Sequence, residues 1–251
     1  MKGDIRNIFE GLVTKQEPII KTVNIDWKGN DNALWNAHAK GIVNIAKSYE
    51  PNFEVTECTK EALAYLLKYF TGAEDFTGDL NKGIYLVGTK GSGKTLLMKV
   101  FEEYTRNILK VNSFQNFSSL DIIASVNITG ASFLEQFNHN FNGASVPSPI
   151  TCYIDDVGSN NEIVNHFGSK FNAIEQLLTI RYNMYQRYRK ITHISSNMYP
   201  IDLIGNPLNE EGESDKENGK PSTTVIYDSR VTERMREMFN IVELKQDSFR
   251  E

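Results

Sequence analysis

The sequence has few cysteines and no long apolar run, and both absences narrow the class of protein. Its 251 residues include two cysteines, Cys58 and Cys152, and Cys152 lies in an apolar run that we expect to be buried. We therefore expect neither a disulfide nor a zinc site. No run approaches the roughly 20 apolar residues of a membrane helix, and the first residues lack the apolar core of a signal peptide. These features predict a cytoplasmic protein with no membrane contact.

The sequence also lacks a net positive charge. The formal net charge of −5 argues against a protein whose whole surface binds nucleic acid, because binding to a phosphate backbone depends on clustered lysines and arginines. A local groove is compatible with this charge. The most basic segment, 181–190, interleaves basic and aromatic residues. It is interpreted either as the solvated end of a helix or as a nucleic-acid contact.

One octapeptide carries most of the functional information. It matches the phosphate-binding P-loop pattern G-x-x-x-x-G-K-[ST] at every constrained position and consists of Gly88, Thr89, Lys90, Gly91, Ser92, Gly93, Lys94 and Thr95. A strand-like apolar run precedes it and a helical pattern follows. Glycines let successive N–H groups point at phosphates, so we expect the loop to bind ATP. Lys94 is expected to reach the β- and γ-phosphates, and Thr95 to bind Mg²⁺.

A second set of polar residues follows two later strand-like runs. The run 150–154 is apolar and is followed by Asp155 and Asp156. A P-loop site needs acids opposite its phosphates, so we expect Asp155 to hold Mg²⁺ through water and Asp156 to polarise the attacking water. The run 191–195 predicts another strand, which Asn197 follows. These residues are predicted to complete the site.

The alternation of strand-like and helical segments predicts an α/β fold with a parallel sheet. Helical spacing over 34–49 and 59–70 precedes the P-loop, with Thr59 as the expected cap of the second helix and Gly72 at its end. We expect a small, mainly helical, accessory region at 1–55 that binds a partner, and the nucleotide-binding domain at 56–251. The acidic stretch 205–228 is predicted to be a flexible loop.

Taken together, several segments resemble the AAA+ ATPases of the DnaC and IstB helicase-loader type. The resemblance covers about residues 60–251 and depends on the P-loop, on 154–158, 195–198 and 229–236, and on the chain end 247–250. It implies an AAA+ type of P-loop NTPase, a three-layer αβα sandwich. It also implies that Asn197 senses the γ-phosphate, that Arg234 with its neighbour Arg230 is an arginine finger for the ATP of an adjacent subunit, and that Arg250 is a second sensor. Such a finger implies a homo-oligomer in the ATP-bound state.

The chain departs from the loader pattern at two places. Loaders usually have Asp-Glu at the end of the acidic strand, and Asp156 is one methylene shorter than that glutamate. We expect this difference to slow hydrolysis. The acidic stretch between Asn197 and Arg230 looks like an insertion, which is interpreted as a solvated loop.

The leading hypothesis is an Mg²⁺-dependent ATPase that acts as a DnaC-like helicase loader. It would bind a replicative helicase through residues 1–55 and single-stranded DNA through its ATPase domain. One alternative is an IstB-like helper of transposition, whose partner is a transposase. Another is a nucleotide-dependent binding module with little turnover, which the short side chain of Asp156 motivates.

Overall fold

A computed structural model describes residues 18–23, 32–138, 151–158, 161–203 and 227–245. Its helices in chain order are α1 (Asn32–Tyr49), α2 (Glu57–Thr71), α3 (Lys94–Tyr104), α4 (Ser119–Thr129), α5 (Ala173–Tyr188) and α6 (Ser229–Met238). Its strands are β1 (Gly83–Gly88), β2 (Gln115–Ser118), β3 (Cys152–Val157), β4 (Ile163–His166), β5 (Ser169–Asn172), β6 (Thr192–Ser196) and β7 (Phe239–Leu244). A π-helical turn, Thr105–Leu109, extends α3, and a 3-10 segment, Gly130–Phe137, follows α4.

Among the described residues, five strands form one parallel sheet in the order β2-β3-β6-β1-β7. Strand β6 therefore lies between the P-loop strand β1 and the acidic strand β3. Parallel strands end at the same edge of a sheet, which is where ligands bind in open α/β folds. The topology thus brings the carboxyl ends of β1, β6 and β3 together.

Helices cover both faces of this sheet. Ile84 and Leu86 of β1 face a buried apolar cluster that α1, α2 and α3 supply. Tyr85 and Val87 face the opposite cluster, which α4, α5 and α6 supply. This period of two is expected of a strand that is buried on both faces. The predicted three-layer α/β fold of the P-loop NTPase type is confirmed.

Helix α1 packs against the helix that follows the P-loop. The Tyr104 hydroxyl of α3 lies 2.6 Å from His38 Nδ1 of α1, and the Tyr49 hydroxyl donates to Glu103 Oε2 at 2.7 Å. Ile42 of α1 is buried in the same apolar cluster as α3. The helix expected at 34–49 is confirmed, whereas the division of the chain between 55 and 56 stays a prediction.

Local chemistry corrects two of the expected boundaries. The cap of α2 is Thr56 rather than Thr59; Thr59 is the third residue of the helix and completes a capping box with Thr56. The helix ends at Gly72, which is left-handed as expected. Strand β3 does not end at Ile154 but continues to Val157, with an irregularity after Ile154. The two acids therefore lie inside the end of the strand.

Several other expectations concern segments that are new in the structure or lie outside the described residues. An antiparallel hairpin of β4 and β5 follows the acidic strand and was not expected from the sequence. Of the acidic stretch 205–228, only Tyr227 and Asp228 are described, so its expected flexibility lies outside the described residues. Arg250 also lies outside them. Among the helices that the structure describes, none is long and apolar enough to cross a membrane.

Candidate nucleotide-binding site

The P-loop connects β1 directly to α3, and its glycines are required by the backbone. Gly91 and Gly93 have φ values of 85° and 91°, which residues with a Cβ rarely adopt. A Cβ on Gly88 would stand 2.8 Å from the Leu244 carbonyl oxygen. The loop leads directly into α3, a helix of eleven residues. The free N–H groups and the dipole at the N-terminus of a helix favour an anion.

Ser92 provides an independent sign that the loop accepts a ligand. Its Oγ is buried and has no hydrogen-bond partner among the described residues. The oxygen lies 2.9 Å from the position of a Cβ on Gly88, at the start of the loop. A buried hydroxyl without a partner is unfavourable, and a phosphate in the loop would supply one. These residues fit a nucleotide phosphate.

Lys94 is held by three oxygen acceptors. Its ammonium group donates to the carbonyl oxygens of Gly88 and Thr89 at 2.8 and 2.9 Å and to Asn197 Oδ1 at 2.8 Å. Burial lowers the pKa of Lys94, while the negative charges of Asp156 and Asp155 raise it. The lysine is thus fixed at the mouth of the loop, beside two acids, where its charge can contact phosphate oxygens.

Thr95 and Asp155 form the other half of the site. The Thr95 hydroxyl lies 3.1 and 2.9 Å from the two carboxylate oxygens of Asp155. Asp155 also accepts hydroxyl hydrogen bonds from Tyr153 at 2.5 Å and from Ser195 at 2.6 Å. Mg²⁺ prefers hard oxygen ligands and commonly shares them with phosphates. Two converging oxygen groups, one of them oriented by neighbouring hydroxyls, fit this ion.

Asp156 has an unusual backbone conformation that the surroundings hold. Its φ is 62°, which is uncommon for a residue with a Cβ. Its N–H donates to Ser195 Oγ at 3.0 Å, and its carbonyl accepts from Ser119 Oγ at 3.0 Å. Strain of this kind costs on the order of 1–3 kcal/mol and occurs where a site needs a side chain to be directed.

Asn197 joins the two halves of the site. Its Oδ1 accepts from Lys94 at 2.8 Å, and its Nδ2 donates to Asp156 Oδ1 at 3.2 Å. The turn after β6 that carries Asn197 is tied to strand β1, because the Tyr85 hydroxyl donates to the Met198 carbonyl at 2.6 Å. One amide therefore contacts both the phosphate-binding lysine and the expected base.

The expected arginine residues lie elsewhere. Arg230 pairs with Asp228 at 2.9 Å, and hydrogen bonds from Arg230 lower the pKa of Asp228 to about 2. The guanidinium of Arg234 lies 4.9 Å from the ring centre of Tyr182. Both arginines line a cleft of about 410 Å³ together with Phe171 of β5 and residues of α5 and α6. Neither forms a hydrogen bond or ion pair with the P-loop within the described residues.

Three hydroxyl groups that support the site have no role in the sequence analysis. Tyr153 and Ser195 orient Asp155, and Ser119 holds the Asp156 backbone. The sequence signal for Ser195 is its place at the end of the strand-like run 191–195, which predicts a buried strand. A polar residue in such a place usually has a specific partner. Ser119 carries no comparable signal, because serine is common at helix starts.

The parallel sheet and the Gly88–Thr95 loop together define a P-loop α/β protein. No protein-family model matches this chain, and no curated protein matches it. Similar solved structures include the DnaC helicase loader, with 16% identity over 78% of this chain and 95% of that chain and a TM-score of 0.44. DnaI has 16% identity over 90% and 88%, with a TM-score of 0.39.

AMPPCP-bound DnaA from Aquifex aeolicus is also among these structures. It is 17% identical over 78% of this chain and 49% of that chain, with a TM-score of 0.45. At such identities the similarity concerns the fold alone.

Proposed function

We propose that this chain binds ATP with Mg²⁺, hydrolyses it slowly, and acts as a DnaC-like loader of a replicative helicase. The observation that carries the ATPase proposal is the bridge of Asn197 between Lys94 and Asp156. It connects the residue expected to bind the γ-phosphate with the residue expected to polarise water. The Thr95–Asp155 pair stands beside it as the proposed Mg²⁺ site.

Each residue of the site has a separate proposed role in ATP binding or hydrolysis. The loop N–H groups and Lys94 bind and orient the phosphates, and Thr95 with Asp155 would hold Mg²⁺. The ion would supply charge neutralisation at the phosphate oxygens. Asp156 accepts a proton from water, and Asn197 keeps this carboxylate at a fixed distance from Lys94. Positioning and electrostatics of this kind account for most of the catalysis of phosphoryl transfer.

The arginines are proposed to act between subunits. Arg234, with Arg230 beside it, would contact the ATP of an adjacent copy, and Arg250 would act as a second sensor. The position of α6 supports this proposal, because Arg230 is exposed and both arginines open onto a cleft rather than into the P-loop. A guanidinium stabilises charge on a transferring phosphoryl group. ATP would then favour a homo-oligomer, which sedimentation with and without ATP would detect.

Single-stranded DNA is the proposed nucleic-acid ligand, and the end of α5 is the candidate contact. Arg187 and Tyr188 are exposed there. Arg189 donates to Asn81 Oδ1 and ends the helix in a left-handed conformation. Arg181, by contrast, is fully buried, so the interpretation of the whole segment 181–190 as a solvated surface is wrong at that residue. The contact is therefore assigned to the last turn of the helix.

Arg187→Gln is expected to weaken the binding of single-stranded DNA and to reduce its stimulation of ATP hydrolysis. Loss of one phosphate contact should lower the slope of log affinity against log salt by about 0.7. Lys60→Gln is the matched control, because it removes one exposed positive charge from α2. Fluorescence titration over a salt series and a coupled ATPase assay measure both effects. Equal behaviour of the two variants would exclude the end of α5.

A measurement of ATP turnover distinguishes the proposed ATPase from a nucleotide-dependent binding module with little turnover. We expect measurable hydrolysis that single-stranded DNA increases. Tight ATP binding with no turnover under either condition would favour the nucleotide-dependent module instead. The partner is tested with the full-length chain as bait, since capture of a replicative helicase supports loading and capture of a transposase supports the IstB-like alternative.

Asp155→Asn is expected to weaken ATP binding in Mg²⁺ by about 10-fold or more, because a neutral amide holds a divalent cation less well than a carboxylate. Asparagine is close to aspartate in size and can still accept from Thr95. Binding in EDTA is therefore expected to change little, and this condition is the internal control. Titration with a fluorescent ATP analogue in both buffers measures the difference. An equal loss in both would show that Asp155 acts on the fold and not on the ion.

A further inference from the structure

A buried carboxylate outside the nucleotide site connects two distant parts of the chain. Glu162 is 1% exposed. Its Oε1 accepts from the Gly158 N–H at 2.7 Å, and its Oε2 accepts from the Tyr227 hydroxyl at 2.5 Å. Glu162 belongs to no motif of the site, and Tyr227 follows it by 65 residues.

On one side, Glu162 holds the end of the acidic strand. Gly158 follows β3 directly, with a φ of 81°. A Cβ on Gly158 would stand 2.5 Å from Leu203 Cδ2, so this turn is closely packed. The preceding residue, Val157, accepts a hydrogen bond from Ser196 Oγ at 2.6 Å through its carbonyl. The turn is therefore continuous with both strands that position Asp156 and Asn197.

On the other side, Glu162 holds the start of the arginine helix. Tyr227 is followed at once by Asp228, the N-cap of α6. The Tyr227 N–H donates to the Leu203 carbonyl at 2.9 Å, and the Asp228 N–H donates to Glu175 Oε1 at 2.7 Å. Movement of Tyr227 would therefore be transmitted to the first turn of α6, which carries Arg230.

The surroundings make this carboxylate costly. Burial raises the pKa of Glu162 to about 7, although hydrogen bonds from Tyr227 and Gly158 lower it. The titratable groups that face it are Tyr227 before α6, Tyr85 on β1 and Glu175 on α5, all of them acids. A buried charge is expensive unless it is well paired. The hydrogen bonds from the Gly158 N–H and from the Tyr227 hydroxyl offset that cost. Both require the turn after β3 and the residue before α6 to keep their positions.

We infer that Glu162 is a positioning residue that couples the strand end carrying Asp155 and Asp156 to helix α6. The inference rests on the proposed binding of ATP to the P-loop. When ATP orders the strand ends, the hydrogen bonds of Glu162 pass that order to Tyr227 and so to the helix with Arg230 and Arg234. Charge-assisted hydrogen bonds are about twice as strong as neutral ones. The coupling is therefore stronger when Glu162 is ionised.

Hydrogen exchange of the full-length chain tests the coupling. In the unmodified protein, ATP with Mg²⁺ should slow exchange in the P-loop and also in α6, by about 5-fold or more. Tyr227→Phe removes one hydrogen bond of Glu162; it should keep the P-loop effect and lose the α6 effect. Tyr182→Phe is the matched control, because the Tyr182 hydroxyl contacts Glu237 of α6 at 2.9 Å by a different route. It should keep both effects.

Glu162→Gln separates coupling from simple support of the fold. Glutamine can still accept from Gly158 and can donate to the Tyr227 hydroxyl, so the fold should persist, as thermal melting will show. The slowing of α6 by ATP should be greater at pH 8 than at pH 6 in the unmodified protein and equal at both in this variant. Comparison with and without ATP at each pH removes the intrinsic pH dependence of exchange.

The possible results separate the two claims. If ATP slows the P-loop of the unmodified protein but leaves α6 unchanged, the coupling is refuted and the ATP site stands. If ATP slows neither, the proposed ATP site fails and the coupling fails with it. Equal slowing of α6 in Tyr227→Phe and in the unmodified protein would also overturn the role of Glu162, as would an equal loss in Tyr182→Phe.

Discussion

Lys94→Ala is expected to weaken ATP binding by about 100-fold or more, which corresponds to about 2.7 kcal/mol. The ammonium group of Lys94 is fixed at the P-loop by three acceptors and is buried. A charged hydrogen bond to phosphate is worth about 1.5–3 kcal/mol, and the buried position strengthens the attraction between unlike charges. Titration with a fluorescent ATP analogue or calorimetry gives the two dissociation constants.

Lys99→Ala is the control for this prediction. Lys99 lies on the same helix but is exposed, so its removal should change ATP affinity less than 2-fold, about 0.4 kcal/mol. Lys94→Ala also leaves Asn197 Oδ1 without its lysine donor. Melting temperatures of both variants are therefore needed to show that the fold persists. An affinity loss below about 5-fold in a folded Lys94→Ala protein would contradict the assignment of Lys94 as a phosphate ligand.

The sequence was sufficient to predict which polar residues converge, but not how they are held. The P-loop, Asp155, Asp156 and Asn197 each follow or end an apolar run, and parallel strands end at one edge. These residues are expected to meet at that edge whatever the order of the strands. The position of β6 between β1 and β3 depends on contacts between distant segments, and no local pattern encodes it. The bridge formed by Asn197 follows from that order.

Burial of charged residues was the harder part to predict. Arg181 belongs to a basic segment, and charge alone suggests a solvated position. In the structure it is fully buried and donates to Thr192 Oγ1 and to the carbonyls of Ile191 and Phe137. A guanidinium carries five N–H donors and can therefore satisfy several acceptors at once. The burial of Glu162 was equally hard to predict, since its hydrogen-bond partner Tyr227 is 65 residues away in sequence.

His193 is expected to make the protein sensitive to acid. The ring is fully buried in β6, its Nδ1 accepts from the Ile84 N–H at 3.0 Å, and aromatic rings such as Phe114 at 5.1 Å surround it. Burial, together with the positive charge of Arg181, lowers the pKa of His193 from 6.5 to about 3. The folded protein therefore keeps this histidine neutral at pH values where the unfolded chain protonates it.

The sign of the effect follows from proton binding. Below pH 6.5 the unfolded state binds more protons at this residue, so the free energy of unfolding falls as the pH falls. The contribution of His193 is complete above pH 6.5 and is lost between 6.5 and about 3. At about 1.4 kcal/mol for each pH unit, lowering the pH to 4.5 removes about 2.7 kcal/mol. The full window corresponds to about 5 kcal/mol.

Urea unfolding of the unmodified protein and of His193→Gln at pH 7.5 and 4.5 measures this contribution. Glutamine can accept from the Ile84 N–H but does not titrate, so the variant should be less stable at pH 7.5 and should lose about 2.7 kcal/mol less on acidification. Glu162 acts in the opposite direction between pH 4.5 and 7, because its pKa is raised on folding. It contributes equally to both proteins and cancels in the comparison. Parallel losses of stability in the two proteins would show that His193 does not stay neutral in the folded sheet.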